Sequence, residues 1–423
     1  MKRTLRKLVL ATSAYPVFSQ LYRGVYRSIV GGLGLWARLH GEVVGLYVRG
    51  SYARGCYVPG RSDLDFVLVL RQTHDDQERF RFLRRVRAGC QRLRRIVPIL
   101  GEVEILAEPH FRQWLSLVHD RCQIQAVFGP EVGPFRPPSD LEKTAQALSD
   151  YVFIFLPNIT LWERLERQRL AQKIFKNCGQ KQAPLESDPW ELASAVCTRV
   201  EEACRDLEWD APNRPWSLQQ RVASCPLPHW LNPWRGQLAG VIASPFDASE
   251  CLVVVEDNSV SCFPRDLVRA VCEHSDQPRL LGRASLRCFL NLVSPLQAMS
   301  LVADRAVWGS EDLIADVGFQ ERYFHDGMKR SAALILSRIC TFELPSEDLE
   351  MVLLGWFFRV KRYLEDGAQE VYFHEILEHY EIADPELYDR LRACLERPDA
   401  VRDFELMRIL ADDLSRSLGK EKS

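Results

Sequence analysis

Leu46-Tyr-Val-Arg-Gly50-Ser51-Tyr-Ala-Arg54-Gly55-Cys-Tyr-Val-Pro-Gly-Arg-Ser62-Asp63-Leu-Asp65-Phe-Val-Leu-Val-Leu70 reads as a strand, a glycine-containing turn and a second strand. The β-rich run Val43–Val48 ends in Gly50-Ser51, and Leu64–Leu70 is apolar enough on both faces to be central in a sheet. Strand side chains alternate between faces, so Asp63 and Asp65 project to one side while Leu64 and Phe66 enter the core on the other. Upstream, residues 17–40 carry Leu21, Val25, Ile29, Leu33 and Trp36 at helical spacing. Downstream, Asp75–Arg95 reads as a basic amphipathic helix with Phe80, Leu83, Val86 and Leu93 on its apolar side, and Glu102–Leu106 as a third strand. The stretch Val127–Pro138, with four prolines and two glycines, closes this α/β unit.

Two carboxylates that converge on one point resist joint ionisation unless a counter-charge relieves them. A divalent cation does this. Mg²⁺ in particular takes a few carboxylate oxygens together with substrate phosphates rather than a full protein cage. Gly50 lets the backbone approach closely, and the N–H groups and hydroxyl of Gly50-Ser51 suit phosphate oxygens.

The stretch resembles the nucleotidyltransferases of the DNA polymerase beta-like superfamily, whose signature is hydrophobic–Gly–Ser, a gap, then Asp–hydrophobic–Asp/Glu–hydrophobic. Gly50-Ser-Tyr-Ala-Arg-Gly55 and Ser62-Asp-Leu-Asp65 are close to the small-enzyme form of that signature, with eleven residues between Ser51 and Asp63. The resemblance covers about residues 25–135. It implies an α/β core with a mixed sheet and a third carboxylate on a neighbouring strand. Glu104, flanked by Val103 and Ile105, is favoured for that position, and Glu102 remains the alternative. Val127-Phe-Gly-Pro is similar to the glycine turn that follows the core in aminoglycoside-type relatives. The implied chemistry is attack of an acceptor hydroxyl on the α-phosphorus of a nucleoside triphosphate, ATP by family preference, with release of pyrophosphate. Asp63, Asp65 and Glu104 are then the catalytic and metal-holding acids for two Mg²⁺ ions, and Gly50, Ser51, Arg54 and Lys173 the nucleotide-binding residues. Arg54 either touches phosphate or braces the turn against Asp63. Lys173 lies on the basic segment Arg167–Lys176, which a solvated helix face explains equally well.

The 423 residues, 47% hydrophobic and 26% charged, exclude a disordered or fibrous chain and suggest two or three domains. After a nucleotidyltransferase domain at 1–138, the pattern predicts a helical region at 139–208 with helices over 140–157, 161–178 and 189–207. A Pro/Trp-rich linker at 209–250 and a helical domain at 251–423 follow, with Leu252–Glu256 as an isolated strand. No internal sequence repeat is evident. Lys and Arg total 55 against 57 Asp and Glu, a formal charge of -2, so no global field draws the chain to nucleic acid or an anionic membrane. A small-molecule or protein acceptor is therefore expected over a nucleic acid, although the basic segment Arg79–Arg95 suits a phosphate backbone. Thirteen cysteines, scattered singly without a C-x-x-C pair, read as reduced cytoplasmic thiols. The basic, briefly apolar N-terminus resembles a signal peptide only superficially, and no window is long and apolar enough for a membrane span.

Other signals are weaker. The histidines of His374-Glu-Ile-Leu-Glu-His379 are five apart, which rotates them off one helix face and argues against a zinc site. His325-Asp326 has no His partner at metal-phosphohydrolase spacing. Trp209, Trp216, Trp230 and Trp234 read as packing. Two alternatives stand beside the transferase: a non-catalytic, antitoxin-like binding protein on the same scaffold, and a template-independent RNA nucleotidyltransferase.

Overall fold

A computed structural model describes residues 15–55, 57–59, 62–71, 99–118, 124–133, 138–209, 221–243, 251–256, 263–293, 304–309, 313–341, 347–367 and 373–389, with shorter pieces between them. The chain divides into two compact units. The first comprises Met1–Pro137, Ala332–Lys361 and Leu377–Ser423, the second Pro138–Ser331 and Arg362–Ile376. Among the described residues no helix is long and apolar enough to cross a membrane.

In the first unit, α1 (Pro16–Arg38) leads into β1 (Val43–Arg49), a single helical turn α2 (Gly50–Ala53), β2 (Leu64–Leu70), β3 (Leu100–Ala107), α3 (Glu108–Val118) and β4 (Ile124–Phe128). The sheet order is β3-β2-β1-β4. It is mixed, as expected: β1 is antiparallel to β2 and β4, while β2 and β3 are parallel. Val67 and Val69 face Tyr47, Leu106, Phe111 and Trp114 on one side of the sheet. Leu64, Phe66 and Leu68 face Tyr26, Val30 and Ala37 of α1 on the other. The helix buries Tyr26, Val30, Gly34 and Ala37, one turn apart as the 3.6-residue period requires. Ile29, Leu33 and Trp36 flank that stripe, but Leu21 and Val25 point outward. Of the basic segment 75–95, Phe82 and Val86 are helical and buried against this core, with most of the segment outside the described residues. The sequence pattern missed β4, a five-residue edge strand next to the Gly/Pro-rich turn. The C-terminal part of the unit docks on α3 through His110 Nε2 and Asp412 Oδ1, 3.2 Å apart, and contains the buried ion pair Lys361–Asp413 at 2.7 Å.

The second unit is helix-rich, with α4 (Asp140–Asp150), α5 (Arg164–Asn177) and α6 (Pro189–Arg205) near their predicted places. Beyond them the C-terminal region is helix-rich as expected and also holds a sheet that the pattern did not predict. β5 (Arg221–Ser224), β6 (Leu238–Ala243), β7 (Cys251–Val255), β8 (Arg279–Gly282) and β9 (Asp304–Gly309) form a five-stranded sheet of order β5-β9-β6-β7-β8. Leu252–Val255 is therefore a central strand rather than an isolated one, and the Pro/Trp-rich stretch contributes β5 and β6. These strands escape periodicity because β6 and β7 are buried on both faces, which removes the alternation that marks a half-exposed strand. Helices α7 (Arg265–His274) and α8 (Arg283–Cys288) flank β8.

Candidate active site

The site is built where β1 ends and β2 begins. Gly50 has φ 70°, a left-handed conformation that favours glycine, and it turns the strand sharply into α2 so that Ser51 stands just past its end. A second positive-φ glycine, Gly55, closes the turn, its N–H donating to the Tyr52 carbonyl at 2.9 Å. The return segment is pinned from below. Tyr26 of α1 donates its hydroxyl to the Ser62 carbonyl at 2.7 Å, and the buried Ser62 hydroxyl accepts the Val58 N–H at 3.0 Å. Tyr57 stacks between Tyr26 and Tyr52, with ring centroids 5.1 and 4.8 Å away. Burial, then Tyr57, raises the Tyr52 hydroxyl pKa, with Arg27 opposing. Asp63 thus follows an anchored residue.

Register puts the acids on one face. Arg49 is the cross-strand partner of Asp65, and Glu104 the partner of Val67, two positions along β2 from Asp65. Asp63 and Asp65, both partly exposed, meet beside Gly101. A β-carbon at position 101 would collide with Asp65 Oδ1 and stand 3.0 Å from Asp63 Cβ. At Gly50 it would lie 3.6 Å from Asp65 Oδ2. The Asp65 carboxylate therefore lies between two glycines, in a hollow that a methyl group at position 101 would fill. A register shift in β3 between Leu100 and Val103 accommodates it.

Glu104 lies on the same face but is engaged differently. Its Oε1 accepts a hydrogen bond from Arg49 Nη1 at 2.9 Å, with the side chains only 14% and 13% exposed. The Arg49 guanidinium thus offsets the charge of Glu104, and its backbone pairs with Asp65 on the neighbouring strand. Among the described residues no three acidic, histidine or cysteine side chains are gathered into a ready-made metal cage. The donor set still suits a hard divalent cation: two aspartates two residues apart supply oxygen ligands of the kind Mg²⁺ uses.

The Glu102 side chain lies outside the described residues. Arg54 is exposed at the end of α2. Lys173 belongs to the second unit, where its ammonium is 2.8 Å from Asp150 Oδ2. Sequence reasoning missed Gly101, Arg49 and the Tyr26–Ser62 anchor. Arg49 carried a signal, since it occupies the position before Gly-Ser that the family signature gives to a hydrophobic residue. Gly101 carried none, because its meaning depends on a carboxylate from another strand.

No curated protein and no solved structure matches this chain. Residues 34–114, from the last turns of α1 into α3, match the family model described as the nucleotidyltransferase domain, in agreement with the resemblance of this segment to the polymerase beta-like superfamily.

Proposed function

We propose that the first unit transfers a nucleoside monophosphate from a nucleoside triphosphate, ATP first, to an acceptor hydroxyl, releasing pyrophosphate. The observation that carries this reading is the meeting of Asp63 and Asp65 beside Gly101, at the turn formed by Gly50 and Ser51. Asp63 and Asp65 would hold the divalent cation, Mg²⁺ by the hardness of its donors, with two ions in the full reading. When bound, such ions offset negative charge on the phosphates and on the attacking and leaving oxygens. Ser51 offers its hydroxyl and backbone N–H to the phosphates, with the exposed Arg54 as a further cation from the same turn. Glu104, oriented by Arg49, is the group we assign to take the acceptor proton. A base there is worth about 10²–10⁴-fold, because an alcohol is a weak nucleophile at neutral pH.

The formal charge of -2 favours a small-molecule or protein acceptor over RNA or DNA. Buried cysteines outside any disulfide, such as Cys178 and Cys204, support a reducing, cytoplasmic setting. The test is pyrophosphate release with Mg²⁺, each of the four triphosphates, and in turn a metabolite extract, a protein fraction and total RNA. Turnover that disappears in Asp65→Asn is expected. Release in every arm that is indifferent to that substitution would remove the proposal, and label in RNA alone would identify a tailing enzyme.

A second reading, a nucleotide-binding scaffold without turnover, is favoured by one observation, the engagement of Glu104 by Arg49. It predicts triphosphate binding without pyrophosphate release in every arm.

A further inference from the structure

The two sheets have the same construction. In the first, β1 is antiparallel to β2, β2 is parallel to β3 and β1 is antiparallel to β4; in the second, β6, β7, β8 and β9 repeat those three relations in the same chain order. A helix begins at the residue after β3, Glu108, and at the residue after β8, Arg283. The crossover between β7 and β8 contains α7, and that between β2 and β3 contains the helical residues around Phe82 and Val86. Strand order alone is a modest argument, because few topologies are open to a small sheet. Irregular detail is a stronger one. In β1 the pairing with β2 shifts just before Gly45, and in β6 the pairing with β7 shifts just before Gly240. Gly129, after β4, and Gly309, at the end of β9, both have φ 108°. A β-carbon on Gly129 would stand 2.8 Å from Gly45 Cα, and one on Gly309 would stand 2.9 Å from Gly240 Cα. The same bulge and the same glycine-on-glycine contact thus recur at the same place in both sheets. Bulges are defined structural features rather than accidents of packing.

Setting Gly45 on Gly240 aligns the rest through the recorded pairings. Val69 falls on Val254, Val67 on Leu252, and so Glu104 on Arg279. Counting from these anchors, Asp65 falls on Glu250, Asp63 on Ala248, Gly50 on Pro245 and Ser51 on Phe246. The connection shrinks from the fourteen residues 50–63 to the seven residues 244–250, which lie outside the described residues. Of the three acids one has a carboxylate counterpart, and an arginine takes the place of another. By residue type alone, one carboxylate and one arginine in place of three acids make a poor donor set for a divalent cation, and the sequence has Pro245-Phe246 where the first copy has Gly50-Ser51.

We infer that the second unit contains a degenerate copy of the nucleotidyltransferase fold, which keeps the frame and has lost the metal-and-triphosphate site, so that each chain carries one such site and not two. This rests on the function proposed for the first unit. The test is a count of triphosphate bound per full-length chain by equilibrium dialysis with Mn²⁺, for each of the four triphosphates, with the EDTA value subtracted. One equivalent is expected in the wild type, none in the folded Asp63→Asn/Asp65→Asn variant, and one in Glu250→Gln and in Arg279→Gln. Two equivalents, or one equivalent that survives the double aspartate change and disappears in Glu250→Gln, would overturn the inference while leaving metal-dependent binding in place. No metal-dependent binding of any triphosphate by the wild type would remove the reading of the first site, and the count with it.

Discussion

Gly101→Ala isolates the meeting of the two aspartates from the stability of the fold. The new methyl group would collide with Asp65 Oδ1 and lie 3.2 Å from Asp65 Cγ and 3.0 Å from Asp63 Cβ. The atom in the way is the end of a short, partly exposed side chain, so a change in the Asp65 torsion relieves the clash. The cost to stability belongs at the low end of overpacking penalties, about 1 kcal/mol, or about 2–4 °C in the melting of a unit of this size. The carboxylate must nevertheless move by roughly an ångström, and displacement on that scale costs on the order of 100-fold in rate when reacting groups must be held in place. A folded protein with a nearly unchanged melting temperature, clearly weakened Mn²⁺ affinity by paramagnetic resonance and about 100-fold slower pyrophosphate release is the expected outcome. Full Mn²⁺ affinity and turnover in a folded Gly101→Ala protein would show that the aspartates do not act together beside this glycine.

Removing either partner of the Arg49–Glu104 pair, which is about one-seventh exposed, should cost about 1–3 kcal/mol in urea unfolding. The Arg49→Ala/Glu104→Gln double variant should cost less than the sum of the two, and strict additivity would deny the contact any coupling. Tyr26→Phe deletes the donor to the Ser62 carbonyl and should lower stability by about 1 kcal/mol, with a fall in kcat because Asp63 follows that anchor; an unchanged kcat would remove Tyr26 from the site's support. Burial pushes the Cys178 thiol up to about 12 against the opposing charge of Arg199, so the folded chain keeps a proton that an unfolded thiol releases near its ordinary value of 9.0. Stability should therefore be insensitive to this group below pH 9.0 and fall by about 1.4 kcal/mol per pH unit between 9.0 and about 12. Denaturation midpoints from pH 7 to 10.5 should fall more steeply for the wild type than for Cys178→Ala, and equal slopes would contradict the burial argument.

The sequence by itself determined the strand–turn–strand around Gly50, Ser51, Asp63 and Asp65, because strand alternation is a local property and assigns Leu64 and Phe66 to one face and both aspartates to the other. It also marked α1, the three strands that follow and the helices between residues 140 and 205, where the hydrophobic period is long enough to read. Tertiary structure alone decided how Glu104 is engaged: Arg49 and Glu104 are 55 residues apart, and their meeting depends on the register of three strands. The same holds for Gly101, which matters because Asp65 leans over it from the next strand. The second sheet lay hidden because strands buried on both faces carry no alternation, and because the glycine contacts that repeat the first sheet join residues about 70 to 85 positions apart. Local chemistry wrote the acids into the chain, and strand register set which of them face one another and which face an arginine.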